Sequence, residues 1–141
     1  MQDPLLGRDL GPYRLEQRLG GGGMGVVYRA VHRTLLQPRA VKVLRPHLME
    51  MDHRLVSRFI HEARTAAGLH HPNIVQIYDV GDADGLHFIA MELLVGTPLV
   101  DMIREGGPLP VGRAVHLLGQ LAAALDYAHQ RGIVHRDVKP A

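Results

Sequence analysis

Three groups of residues in this chain of 141 residues have types and spacing that could carry chemistry. The first is a glycine run, in which Gly20, Gly22 and Gly25 follow the spacing G-x-G-x-x-G of loops that approach phosphate groups. The second is Lys42, which lies in the middle of an apolar segment. The third is the cluster His135-Arg136-Asp137-Val138-Lys139-Pro140, which places a carboxylate two residues before an ammonium group.

The elements on either side of the glycine run limit what it can do. The preceding stretch YRLEQRL alternates apolar and polar residues and predicts a strand, and the following VVYRAVH is β-branched and predicts another. The glycines therefore cap a β-hairpin, whereas a dinucleotide fingerprint requires a helix at that point. A P-loop is excluded because no Gly-Lys-Ser/Thr follows. A flexible turn that binds nothing remains the alternative.

Lys42 needs a partner if it is buried. Its predicted strand places Ala40, Lys42 and Leu44 on one face, and Val41 and Val43 on the other. Burying an unpaired ammonium group is costly. Either Lys42 is an edge lysine whose amine reaches water, or it is a cation directed at the phosphates of a ligand.

Glu62 is a candidate partner for Lys42. The stretch DHRLVSRFIHEARTAAGL predicts a helix with Asp52 as its N-cap. Glu62 falls within the stripe that faces the core in this prediction, formed by Leu55, Phe59, Ala66 and Leu69. The carboxylate could pair with Arg58 one turn earlier or, across to the strand, with Lys42.

The pair Asp137 and Lys139 is a candidate for acid–base chemistry. An exposed ion pair of this kind, which contributes little to stability, is the alternative interpretation.

The remaining elements divide the chain into two parts. The first dozen residues, which contain two prolines and two glycines, predict a loose tail. Two further strands, NIVQIYDV and LHFIAMEL, flank Asp84-Gly85, a pair typical of hairpin turns. A linker rich in glycine and proline then leads to a long helix, VGRAVHLLGQLAAALDYAHQR, which Gly132 ends.

Composition excludes several classes of protein. Apolar residues make up 46% of the chain, so a core is expected, and the absence of cysteine rules out disulfides. The net charge is only +2, with basic residues interspersed among acidic ones, which does not favour a nucleic-acid surface. No apolar run approaches the roughly 20 residues that span a bilayer, and no signal peptide is predicted.

Together these motifs resemble the protein kinase family, specifically the bacterial serine/threonine kinases of eukaryotic type. The resemblance covers residues 13–141. The glycine run with Val27 matches G-x-G-x-x-G-x-V, Ala40-Val41-Lys42 matches the lysine motif of the third strand, and Glu62 matches the glutamate of the family's αC helix. Further matches are His71-Pro72-Asn73-Ile74-Val75, Met91-Glu92 with Leu94 as gatekeeper and hinge, and His135-Arg136-Asp137 as the start of the catalytic loop.

The resemblance implies a role for each of these residues. Val27 and Ala40 would clasp the adenine of ATP, the backbone from Glu92 to Leu94 would bind its edge, and Lys42 held by Glu62 would contact the phosphates. Asp137 would accept the proton of the substrate hydroxyl and Lys139 would stabilise the moving phosphoryl group. Arg136 would pair with an activation-loop phosphate. The implied nucleotide-binding set is completed by Leu19, Gly20, Gly21, Gly22, Gly23, Met24, Gly25 and Met91.

The implied fold is α+β and kinase-like: a five-stranded antiparallel N-lobe sheet with its αC helix, followed by the first helices of a truncated, helical C-lobe. The expected boundaries are a tail at 1–12, an N-lobe at 13–91, a hinge at 92–97 and the start of the C-lobe at 98–141. The family's two magnesium ligands, an asparagine and the D-F-G aspartate, would both fall beyond Ala141. We therefore expect an incomplete kinase domain.

The expected cofactors of the complete domain are ATP and Mg²⁺, and the expected partners are proteins with Ser or Thr hydroxyls. A dimer through the N-lobe and a cytoplasmic location are further expectations, as is the inactivity of these 141 residues alone. A non-catalytic module that binds nucleotide or a partner is the alternative from another class. A small β-rich domain without a nucleotide site would not explain Lys42 and Glu62 together.

Overall fold

A computed structural model describes residues 3–52 and 54–140 and divides the chain into two compact units. The first unit comprises residues 1–68 and 76–94, and the second comprises residues 69–75 and 95–141. The first unit contains the whole of an antiparallel sheet. Its strands are β1 (Asp9–Leu10), β2 (Tyr13–Gly21), β3 (Gly25–His32), β4 (Gln37–Leu44), β5 (Ile77–Ala83) and β6 (Leu86–Met91).

The strand order in the sheet is β1-β2-β3-β4-β6-β5, and every neighbouring pair is antiparallel. The five longer strands confirm the predicted antiparallel sheet. The two-residue β1 is an addition to it. The hairpin between β5 and β6 is also confirmed, since Asp84 and Gly85 have φ angles of 52° and 75°, as a type I′ turn requires.

Two helices belong to the first unit, α1 (Pro46–Met51) and α2 (Arg54–Ala67). The Asp52 carboxylate accepts a hydrogen bond of 2.8 Å from the backbone N–H of Arg54, which confirms its predicted capping role. Helix α1 was not predicted. Pro46 lies in its first turn, where proline is tolerated because the first N–H groups of a helix have no partner within the helix.

The two faces of the sheet have separate cores, as the alternation in β4 predicts. On the inner face, Leu44 and Ile89 pack with Phe59 and Ala63 of α2. We call the opposite side the outer face; its core consists of Leu10, Tyr13, Leu15, Tyr28, Ala30, Val41, Val43, Phe88 and Ala90.

The N-terminal segment packs against the outer face, so the prediction of a loose tail is wrong for residues 3–12. Leu10 is buried in the outer core, and Leu5 packs against it. The Gly7 N–H donates to the Leu15 carbonyl, and the Leu15 N–H donates to the Arg8 carbonyl. Leu10 shares the outer core with Phe88 and Ala90, which are distant in sequence, and local composition does not reveal such contacts.

The second unit contains α3 (Leu99–Gly106) and α4 (Val111–His129), both preceded by a proline. Gly132 has a φ of 76°, its N–H bonds to the His129 carbonyl and the Ile133 N–H bonds to the Ala128 carbonyl. This Schellman motif confirms the predicted end of the long helix. The segment 69–75 is fixed to α4 by Tyr127, whose hydroxyl accepts the His70 N–H at 3.1 Å. No helix in the described part of the chain is long and apolar enough to cross a bilayer.

Candidate active site

The glycine run forms the predicted hairpin. Strand β2 ends at Gly21 and β3 begins at Gly25, and the Gly22 N–H donates to the Gly25 carbonyl across the turn at 3.0 Å. Gly20, Gly22 and Gly23 have no atom within 4 Å of the place where a Cβ would stand, so the space around the turn is open. A bulge between Arg18 and Gly20 places Leu19, which is half exposed, beside this turn. The result is a strand-to-strand turn with accessible backbone.

Lys42 lies on the inner face below this hairpin. It is paired with Val27 on β3 and with Ile89 on β6, while Ala40 of the same strand is paired with Met91. The lysine stem lies against Gly25, since a Cβ there would be 3.4 Å from both Cγ and Cε of Lys42. The structure therefore brings Lys42, Val27, Ala40 and Met91 to one face of the sheet. Met24, at the hairpin tip, packs against the core of that face.

Glu62 does not occupy the position that the sequence predicted. It is exposed, and among the described residues no ion pair joins it to Lys42 or Arg58. The buried stripe of α2 runs through Phe59 and Ala63, with Val56 and Ile60 beside them. The prediction that Glu62 lies on the buried face is wrong, because the stripe is rotated toward Val56 and Ile60.

The neighbour of Lys42 on α2 is Phe59. The Lys42 Nζ lies 5.8 Å from the centre of the Phe59 ring, at the outer limit of a cation–π contact. Glu62 lies three residues further along the same helix. A rotation or shift of α2 by less than one turn would be needed to exchange the aromatic neighbour for the carboxylate.

The backbone just after β6, where the predicted hinge begins, is held by Gln76, a residue that the sequence did not single out. The Glu92 N–H donates to the Gln76 carbonyl at 2.8 Å, and the Glu92 carboxylate accepts the Gln76 N–H at 3.3 Å. Leu94, two residues on, is exposed. The backbone after β6 is thus held at Glu92 and open at Leu94. No motif in the sequence singled out Gln76.

The catalytic-loop candidates belong to the second unit and are exposed. The Lys139 Nζ donates to the Asp137 carboxylate at 2.8 Å, and this ammonium group lowers the pKa of Asp137. The Asp137 N–H donates to the His135 ring at 3.2 Å. Arg136 adopts a φ of 64°, which is uncommon for a residue other than glycine. Asp137 is therefore an ionised acceptor near neutral pH.

Metal ligands are not gathered in this part of the protein. Among residues 3–52 and 54–140, no group of three His, Asp or Glu side chains is arranged to hold a metal ion. The two ligands that the family pattern assigns to magnesium do not occur in these 141 residues.

Comparison with known proteins gives the family. Residues 13–141 match the sequence profile described as protein kinase domain. The chain belongs to the protein kinase family. This kinase sequence is 46% identical over 130 residues to the serine/threonine-protein kinase PknJ of Mycobacterium tuberculosis. The match covers 92% of this chain and 22% of PknJ. It is 41% identical over 137 residues to PrkC of Bacillus subtilis, with coverage of 96% and 21%.

The fold comparison agrees with the sequence comparison. The crystal structure of a variant of the Mycobacterium tuberculosis PknI kinase domain superposes with a TM-score of 0.82 at 38% identity, covering 100% of this chain and 57% of that one. The predicted kinase-like α+β fold is therefore confirmed. The chain spans about a fifth of the length of the curated relatives it matches.

Proposed function

We propose that the domain to which these residues belong transfers the γ-phosphate of ATP to Ser and Thr hydroxyls of other proteins. The observation that carries this proposal is the grouping of Lys42, Val27, Ala40 and Met91 on one face of the sheet, below an open glycine hairpin. The relatives named above are serine/threonine kinases, which supports the choice of acceptor.

Each nucleotide-binding residue has a role that its position supports. The half-buried Val27 and the buried Ala40 offer apolar surface to the adenine ring, and the open backbone beyond Glu92 offers hydrogen bonds to its edge. The exposed N–H groups of the glycine hairpin and the ammonium group of Lys42 would bind phosphate oxygens. Helix α2 would then bring Glu62 to Lys42.

In the catalytic loop, Asp137 would orient the substrate hydroxyl and accept its proton. The oxygen attacks the γ-phosphorus, the bond from that phosphorus to the bridging oxygen breaks, and ADP leaves with the electron pair. The carboxylate is available for this because Lys139 keeps the pKa of Asp137 low. Lys139 would in turn neutralise charge on the transferring group. In a complete domain of this family, magnesium would supply further charge neutralisation.

A polypeptide of these 141 residues alone should not transfer phosphate, because it carries neither magnesium ligand of the family pattern. The test is transfer of radiolabelled phosphate from ATP to a protein substrate. It compares the 141-residue polypeptide with a longer polypeptide in which the same residues are extended through a complete kinase domain, each with an Asp137→Asn counterpart. We expect incorporation into Ser and Thr only with the longer polypeptide, and its loss in Asp137→Asn. Incorporation by the 141-residue polypeptide that depends on Asp137 would refute this.

The second candidate function is a non-catalytic module that binds nucleotide. The absence of an ion pair between Lys42 and Glu62, both of them described residues, favours it. Measurements of ATP binding and of substrate turnover distinguish the two functions. Tight ATP binding without turnover on any Ser or Thr substrate supports the module. Turnover that depends on Lys42 and Asp137 supports the kinase.

The proposal extends to location and assembly. A cytoplasmic position for this domain fits its requirement for ATP. A dimer through the N-lobe is supported by Leu35 and Leu36, which are 59% and 74% exposed at the turn between β3 and β4. Light scattering of the full-length protein and a Leu35→Ser/Leu36→Ser variant tests this dimer, which should dissociate in the variant.

A further inference from the structure

Two arginine side chains converge on the outer side of the glycine hairpin. Arg18 lies near the end of β2 and Arg45 directly follows β4. A terminal guanidinium nitrogen of each lies 3.6 Å from the point where a Cβ on Gly21 would stand. Both guanidinium groups therefore lie beside Gly21. Two like charges brought this close together repel each other unless an anion lies between them.

Asp3, a carboxylate near these arginines, is already engaged. One oxygen of Asp3 accepts the Leu5 N–H at 3.0 Å, and the other accepts the Tyr28 hydroxyl at 2.9 Å. That second oxygen is 3.9 Å from Arg18, a long ion pair. Arg45 forms no ion pair with any described residue. Asp3 therefore does not neutralise both guanidinium groups.

Arg45 also has an unsatisfied donor. Its Nε is enclosed by protein and has no hydrogen-bond partner among the described residues. Leaving a buried charged donor without an acceptor is costly, and such groups in native proteins usually have a partner. An oxyanion that takes the guanidinium side-on would supply that acceptor after a small movement of the side chain.

A groove at this place is large enough for a ligand. Its volume is about 450 Å³, and Arg18, Arg45 and His47 contribute basic groups to it. Leu5, Val26 and Val43 contribute apolar surface. The groove thus combines an apolar lining with cationic groups, which is the pattern expected for an anionic group attached to a small apolar or aliphatic body.

This groove is separate from the proposed nucleotide position. Arg18 is paired with Tyr28 and Gly21 with Val26, and both partners pack with the outer core. Lys42 instead lies beside Leu44 and Ile89 on the inner face. The sheet itself therefore lies between the two arginines and Lys42.

We propose that Arg18 and Arg45 form a second anion site, which binds a phosphate monoester on the outer face of the glycine hairpin. A doubly charged phosphate has enough oxygens to accept from both guanidinium groups, which are well suited to phosphate geometry. Because Arg18 belongs to β2 and Arg45 follows β4, an anion held by both connects the hairpin to a third strand. The site does not require that the protein transfer phosphate.

The test is binding by the full-length protein with the nucleotide site filled by a non-hydrolysable ATP analogue. Three probes are titrated by calorimetry: inorganic phosphate, a peptide with one phosphothreonine, and the same peptide without phosphate. The first two are also followed by ³¹P NMR. The first two probes distinguish free phosphate from a phosphorylated side chain. The variants are Arg18→Gln, Arg45→Gln and Arg45→Lys, with Arg58→Gln as the control, since Arg58 is exposed and forms no ion pair with a described residue.

We expect at least one phosphorylated probe to bind, and Arg18→Gln and Arg45→Gln to weaken its affinity tenfold or more. Arg45→Lys should be intermediate because it keeps the charge and loses the planar fork. Arg58→Gln and the unphosphorylated peptide mark the background. Hydrogen exchange at Gly21 to Gly23 should slow when the probe binds. The proposal is overturned if neither phosphorylated probe binds, or if Arg58→Gln weakens binding as much as Arg45→Gln does. The melting temperature of Arg45→Lys should equal that of the wild type, which shows that its weaker binding does not result from a loss of folding.

Discussion

At Gly25 the glycine hairpin lies close against the backbone of the lysine strand. A Cβ on Gly25 would lie 2.7 Å from the Val43 carbonyl oxygen, a backbone atom that cannot move without disturbing the sheet. We expect Gly25→Ala to lower the free energy of unfolding by roughly 1–3 kcal/mol, as overpacking does. Urea unfolding of the full-length protein measures this. Gly23→Ala is the matched control, since nothing lies within 4 Å of its Cβ position; equal effects of the two variants would contradict the argument.

Lys42 and Glu62 provide a second prediction at this scale. If α2 brings Glu62 to Lys42 when nucleotide binds, the effects of Lys42→Ala and Glu62→Ala on ATP affinity should not add. Contacting residues typically show coupling of about 0.5–3 kcal/mol. Calorimetry on the four proteins of the cycle gives the value. A cycle with Arg64→Ala in place of Glu62→Ala controls for general effects on α2, and additivity in both cycles would exclude the pair.

Two tyrosine hydroxyls of the outer core bond to carboxylates on other elements. Tyr13 donates to Asp79 of β5 at 3.3 Å, and Tyr28 of β3 donates to Asp3 in the N-terminal segment. The pKa of each tyrosine is raised to about 12. Burial is the larger cause, and the neighbouring carboxylate is the second. Ionisation therefore occurs at lower pH in the unfolded chain than in the folded one.

This difference predicts how stability depends on pH. A pKa that folding raises from 10 to about 12 gives stability that is complete below pH 10 and is lost as pH rises toward 12. We expect the free energy of unfolding of the full-length protein to fall over that interval. The fall should be smaller in a Tyr13→Phe/Tyr28→Phe variant. Tyr78→Phe, at an exposed position, should leave the profile unchanged. Parallel profiles for wild type and the double variant would refute this.

Elements with a strong local signal could be predicted from the sequence. Asp84-Gly85 adopts the left-handed angles that its turn needs, and Gly132 ends α4 because its own φ is positive. The orientation of α2 was less determined. A stripe through Leu55 and Phe59 and a stripe through Phe59 and Ala63 differ by a modest rotation, and packing against Leu44 and Ile89 decides between them.

The candidate site shows the same division. The residue types and spacing of the glycine run, Lys42 and Asp137 were sufficient to place each on the correct kind of element. Contacts between segments that are distant in sequence were not predictable, because neither of the two contacting residues has a local sequence signature. Examples are the bond of Glu92 to Gln76 and the packing of residues 3–12 on the sheet.

At the scale of the whole molecule, α4 presents apolar side chains to solvent. Val111, Val115 and Leu118 are 80%, 63% and 60% exposed, and Leu121 is 40% exposed. Leu117 and Leu125 of the same helix are half-buried. Each exposed side chain forgoes up to about 1.5–3 kcal/mol of burial.

We therefore expect a polypeptide of these 141 residues to self-associate. Light scattering at increasing concentration measures its mass. A Val115→Lys/Leu118→Lys variant should shift the mass toward the monomer, whereas Arg113→Lys on the same helix should not. A wild-type polypeptide that remains monomeric and melts cooperatively would show that the apolar face carries no association.

The packing of residues 3–12 has a consequence for protein engineering. The family match begins at Tyr13, which makes that residue the natural junction for a chimera with another kinase. The folded unit begins earlier, since Leu10 is only 3% exposed and Asp3 accepts the Tyr28 hydroxyl. A graft made at Tyr13 would expose the rings of Tyr13 and Tyr28 to solvent and remove the carboxylate that binds one of them. The transferable module is therefore the sheet together with its own leading decapeptide, because sequence similarity and burial define different first residues for the same domain.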